Sequence, residues 1–140
     1  MILVCISKPG INLYQTLSKS DTSRYILRFY HPKNLDYGIS IEVSTISNAL
    51  SLISEMHWYV VKYMKEVLIE DKEYNVFLTK KLAYATYDSR SVTLSKDWGC
   101  QYNICITNIN DILYIPDNSI PIPADVVQTY RVWGLEEEHP

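Results

Sequence analysis

Three histidines and three cysteines are the side chains through which this 140-residue chain could do nucleophilic, acid–base or metal chemistry. His57 stands beside Trp58, in a stretch whose apolar residues recur at helical spacing, so it falls on the apolar face of a predicted helix. A general base needs a partner within hydrogen-bond reach, and no motif supplies one. His31 precedes Pro32 and reads as a turn residue, while His139 sits in the last residues of the chain. Cys5, Cys100 and Cys105 contain no C-x-x-C pair. Cys100 and Cys105 are an odd number of residues apart, which on one strand puts them on opposite faces and argues against a shared metal. In a chain with no signal-like segment, the three cysteines are expected to be reduced and mostly buried. The four glycines are isolated, so no phosphate-cradling loop is expected, and no G-x-S-x-G occurs. These residues predict no catalytic site, no metal and no cofactor. A small enzyme or ligand-binding domain using His57 or a cysteine is the alternative.

Recognition chemistry is better represented. Glu136, Glu137 and Glu138 form an acidic arm, with Asp111, Asp117 and Asp125 nearby in sequence. Such a face would speed encounter with a cationic partner. The chain carries 12 tyrosines and 3 tryptophans, and exposed rings are common anchors of protein interfaces. Trp98 lies in an Asp97-Trp98-Gly99 turn, and a turn tip rarely buries an indole. Tyr84 and Tyr87 precede a second turn at Asp88-Ser89. The expected partner-binding set is therefore Trp98, Tyr84, Tyr87, Asp111, Asp117 and Glu136 to Glu138. The formal charge of −3 and the scattered lysines and arginines argue against a nucleic-acid partner.

The elements that must position these residues follow from composition and period. With 47% apolar and 21% charged residues the chain reads as globular. Isoleucine and tyrosine are abundant while alanine is scarce, which favours sheet. Ile2–Ile6 reads as a first strand, and no apolar run approaches the roughly 18 residues of a membrane span. A protein of the cytoplasm is expected. Residues 12–17 suggest a helical turn, 18–23 a loop, and 24–30 an alternating strand with Tyr25, Leu27 and Phe29 on one face. A strand is expected at 39–43. One long helix follows over 46–64, capped by Ser44 or Thr45. Residues 66–82 fit either strands or a helical face. Beyond them, 91–94, 102–106 and 112–115 read as a meander.

The last stretch is proline-rich. Pro123 fits the first position of a helix, Asp125 its first turn, and Gly134 its stop, so a short helix is expected over 123–133. The expected fold is one α+β domain over 1–134, with an acidic tail over 135–140. It has a mostly antiparallel sheet of about five to seven strands, packed by one long helix and one short C-terminal helix.

The run Asp111-Ile-Leu-Tyr-Ile-Pro-Asp-Asn-Ser-Ile-Pro-Ile-Pro123, followed by Ala124-Asp-Val-Val-Gln-Thr-Tyr-Arg-Val-Trp-Gly134, resembles the C-terminal half of Imm1-type immunity proteins. The passage from Ile41 to Ser54 is similar to that family's early strand-to-helix segment. The resemblance covers about a quarter of the chain and departs from the family in lacking a tryptophan-bearing strand after the final helix. It implies a non-enzymatic protein that neutralises a toxin domain by occluding its active site. Inhibition of a host defence complex by a phage or mobile-element protein is a second setting for the same kind of binding.

Overall fold

The computed structural model describes residues 1–88, 100–116 and 122–135. They fall into two compact units, Met1–Glu70 and Asp71–Pro140.

The first unit runs β1 (Ile2–Ser7), α1 (Leu13–Lys19), α2 (Asp21–Ile26), β2 (Lys33–Leu35), β3 (Gly38–Glu42), α3 (Ile46–Glu55), α4 (His57–Tyr63) and β4 (Met64–Asp71). Its strands are ordered β2-β3-β1-β4, each pair antiparallel. This is the split βαβ, or ferredoxin-like, arrangement, in which each helical crossover skips one strand. Register places Leu3 opposite Ile41 and Ile69, and Cys5 opposite Ile39 and Val67, so one face of the sheet is continuously apolar. Leu52, Ile53, Met56 and Val60 pack against that face at Leu3, Cys5, Ile41 and Val67. Leu17 and Leu27 meet the same face at Ile39. Both crossovers therefore lie on one side.

Local chemistry fixes the helix ends. The Asn12 side chain accepts from the Gln15 N–H at 3.1 Å, and Thr45 Oγ1 accepts from the Asn48 N–H at 3.0 Å. Ser20 ends α1 and caps α2, accepting from the Ser23 N–H at 3.5 Å. Gly38 lies close against the backbone of β1. A Cβ there would stand 1.9 Å from the Cys5 carbonyl oxygen.

The second unit holds β5 (Val76–Thr79), α5 (Lys80–Asp88), β6 (Cys100–Thr107), β7 (Ile112–Pro116) and β8 (Val126–Gly134). Its order is β5-β8-β6-β7. The β5/β8 pair is parallel, and β6 is antiparallel to both β8 and β7. Thr79 Oγ1 accepts the Leu82 N–H at 3.2 Å, which starts α5. Asn110 turns the β6–β7 hairpin at φ 64°, a left-handed conformation that asparagine tolerates.

Five expectations are corrected. Among the described residues, eight strands and five helices of six to ten residues replace five to seven strands with one long and one short C-terminal helix. The long helix is two, broken at Met56 (φ −90°, ψ 9°), whose N–H still reaches the Leu52 carbonyl at 2.9 Å. Neither proline nor glycine marks the break. Residues 24–30 are not a strand: Arg24–Ile26 complete α2, and the following turn closes through Leu27 N–H to Ser23 O and Tyr30 N–H to Leu27 O, both at 2.9 Å. Ser18–Ser23, expected as loop, is mostly helical for the same reason.

The terminal helix is a strand. Pro123 starts a turn, closed by the Val126 N–H on its carbonyl at 3.2 Å, and β8 runs from Val126 to Gly134. Val126, Val127, Thr129 and Val132 are β-branched, which costs a helix side-chain freedom and suits a pleated surface. Pairing to β6 along nearly its whole length and to β5 on the other side outweighs the helical stripe.

Candidate functional site

The helical layer of the first unit carries large apolar side chains that its core does not use. In and just after α2, Tyr25 is 66% exposed and Phe29 is 80% exposed, while Leu27 between them is buried. Leu27 faces the sheet, and residues two positions away on a helical turn point to the opposite side. Arg28 stands between the two rings. Its guanidinium lies 3.9 Å from the Tyr25 ring centre and 4.7 Å from that of Phe29, and it donates to the Tyr25 carbonyl at 2.7 Å. The result is a cation held across two solvent-facing rings.

A second group of the same kind sits on α4. Trp58 is 57% exposed, and Lys62, one turn on, places its ammonium 4.5 Å from the Trp58 ring centre. Val61 is exposed beside them. Trp58 is braced edge-on by Tyr59 at 5.0 Å and Tyr63 at 5.9 Å. The end of α4 is tied to β1 and the loop after it: Lys8 Nζ donates to the Val61 carbonyl at 2.7 Å and the Lys8 N–H to the Tyr63 carbonyl at 2.9 Å. One hydrogen bond links the two groups' supports. Ser20 Oγ, the cap of α2, meets the hydroxyl of buried Tyr59 on α4 at 2.6 Å. Both clusters thus stand on anchored helices.

The residues singled out from sequence are placed elsewhere or lie outside the described residues. Trp98, Asp117, Glu136, Glu137 and Glu138 belong to the latter group. Tyr84 and Tyr87 are on α5, Tyr84 half-buried and Tyr87 exposed. Asp111 is exposed at the β6–β7 turn, where its N–H donates to Thr107 Oγ1 at 3.0 Å.

The residues considered for chemistry fare as follows. His57 is exposed at the start of α4 rather than on an apolar face, because the break at Met56 turns it outward. His31 is exposed before β2. All three cysteines are buried, and none is in a disulfide. Burial raises the Cys5 thiol from an ordinary 9.0 to about 12, which keeps it protonated and non-nucleophilic at neutral pH. Cys105 Sγ lies 3.8 Å from Thr129 Oγ1. Among the described residues no group of three or more His, Cys, Asp or Glu side chains could hold a metal ion. No described helix is long and apolar enough to cross a membrane.

Sequence reasoning missed the Tyr25–Arg28–Phe29 and Trp58–Lys62 groups. The available signal was their spacing: Tyr25 and Phe29 are four apart, as are Trp58 and Lys62, and such pairs share a helix face.

The model of DUF5804, a family of unknown function, matches residues 2–101, a span that includes both aromatic clusters. No curated protein and no solved structure matches the chain.

Proposed function

The chain belongs to the DUF5804 family, whose function is unknown, and we propose that it is a non-enzymatic protein-binding protein that contacts its partner through the helical layer of the first unit. The observation that carries this reading is the Arg28 guanidinium held across the exposed rings of Tyr25 and Phe29, repeated in kind by Lys62 over Trp58. Large rings next to a cation are the residue types that dominate interface energetics when covered. Left in water, they expose apolar area of the kind that marks interaction sites.

Arg28 and Lys62 set the partner's chemistry: carboxylates around an apolar socket that receives Phe29 or Trp58. The support is thus opposite in sign to the acidic arm expected from sequence. Occlusion of a toxin's active site, implied by the Imm1-like residues, is the biological setting we propose for this binding.

The test is affinity capture on the tagged chain from the cells that encode it, followed by hydrogen exchange on the purified complex. The expected outcome is a protein partner that slows exchange over residues 25–29 and 58–62. Substituting Phe29→Ser together with Trp58→Ser should weaken that complex by at least about a hundredfold. The same change should alter the stability of the free protein by about 1 kcal/mol or less, since both side chains are mostly exposed. A partner that protects other residues, or binds the double variant as tightly, would show the surface to be irrelevant.

A further inference from the structure

We propose that the cavity between α1, α2 and β3 is a binding site for a small monocarboxylic acid with a compact apolar body, seated ring-first with its carboxylate at Arg24. The cavity measures about 160 Å³. Its floor is Leu17, Leu27 and Ile39, all buried. Its mouth is formed by the more exposed Tyr14, Ser18 and Arg24. A dry cavity of about 150 Å³ lined by aliphatic side chains accepts benzene, so the space suits one six-membered ring. The floor offers no polar side chain. A polar group on the ligand must stay at the mouth, because burying it unpaired is costly.

The mouth sets the sign of that group. Arg24 is its one charged side chain. Ser18 is occupied, its hydroxyl donating to the Tyr14 carbonyl at 2.7 Å. Arg24 now pairs with Asp21 three residues earlier, but both side chains are largely exposed, and such pairs contribute little. A guanidinium can therefore turn to a ligand carboxylate with small loss and gain a forked, charge-assisted contact. Once Arg24 turns from Asp21, one cation over an apolar cup selects a monoanion.

The cup is built to stay open. The fully buried Ser23 hydroxyl reaches the carbonyls of Leu17 and of Ser20, the latter at 3.1 Å, and so pins the corner between α1 and α2. None of the residues forming this site belongs to the aromatic clusters, so the inference stands apart from the proposed protein-binding role.

Benzoate is the probe, with benzyl alcohol as its neutral analogue, followed by amide chemical shifts in the full chain. Saturable shifts centred on Leu17, Arg24, Leu27 and Ile39 are expected at benzoate concentrations up to about 10 mM. Benzyl alcohol should bind about tenfold more weakly. Arg24→Gln should lower benzoate affinity about tenfold and leave benzyl alcohol unchanged. Ser18→Trp, at an exposed helical position on the rim, should block both ligands while the circular dichroism spectrum stays that of the parent. Equal affinity for acid and alcohol, an unaffected Arg24→Gln variant, shifts centred elsewhere, or no shift at all would each overturn the proposal.

Discussion

Replacing Gly38 by alanine puts a methyl carbon 1.9 Å from the Cys5 carbonyl oxygen and 3.0 Å from both the Cys5 carbonyl carbon and the Ile6 Cα. All three atoms are backbone, so no side chain can swing aside. Relief requires β1 and β3 to separate by more than about 1 Å. Cys5 is also paired with Val67 of β4, so β1 is held from its other edge. The bonds at risk are those around the Ile6–Gly38 pair, including the Ser7 N–H and Ser7 hydroxyl on the Tyr37 carbonyl at 2.9 and 3.0 Å. Losing two or three such bonds costs about 2–3 kcal/mol. Strain in the core beneath adds about 1–2 kcal/mol. The expected total is about 3–5 kcal/mol, a large share of the roughly 5–15 kcal/mol by which a domain is stable. Urea denaturation followed by far-ultraviolet circular dichroism reads it as a lower midpoint. Gly10→Ala is the matched control. Gly10 sits at φ +80° with nothing within 4 Å of a built Cβ, so it carries only the left-handed penalty of about 1 kcal/mol. If Gly38→Ala costs no more than Gly10→Ala, the close approach of β1 and β3 is not as described.

Two further outcomes follow from buried groups. Cys5 contributes no pH slope below about pH 9, where the thiol is protonated both folded and unfolded; from there towards pH 12 the unfolded thiol ionises and the folded one does not. Stability should therefore fall by about 1.4 kcal/mol per pH unit through this group, a component that Cys5→Ala removes, so parallel stability–pH profiles for parent and variant between pH 8 and 10.5 would refute it. Tyr59→Phe deletes the 2.6 Å contact with Ser20 Oγ and should cost about 0.5–1.5 kcal/mol, and a double-mutant cycle with Ser20→Ala should show coupling rather than additivity.

Much of the first unit was legible because its signals are local. β1 and β3 are short apolar or alternating runs, and the Thr45 cap with its stripe gave α3 directly. The hairpin of β6 and β7 announced itself through Asn108–Asp111. What failed was decided at long range. Val126, Val127, Tyr130 and Trp133 satisfy a helical period as well as Pro123 and Gly134 satisfy helix ends. They form a strand because β6 and β5 lie on either side, and no local pattern contains those partners. Four of the five residues from Thr129 to Trp133 are β-branched or aromatic, Arg131 being the exception, and weighing that propensity above the period was the available correction.

The aromatic clusters were hidden by a different ambiguity. Tyr25, Leu27 and Phe29 are two residues apart, and on a strand that spacing puts all three on one face, where they read as core. On helical turns the same spacing is about 200°, so seating Leu27 against Ile39 forces Tyr25 and Phe29 outward. Arg28, next to Phe29 and three from Tyr25, then falls between the rings instead of on the far side of a sheet. Secondary-structure type over residues 24–30 thus decides whether two rings are filler or recognition surface. Ser20 settles it: as the cap of α2 it starts the helix, and as the partner of Tyr59 it fixes that helix to α4. A single serine between two short helices is a weak sequence signal, yet it sets the direction in which Tyr25 and Phe29 face.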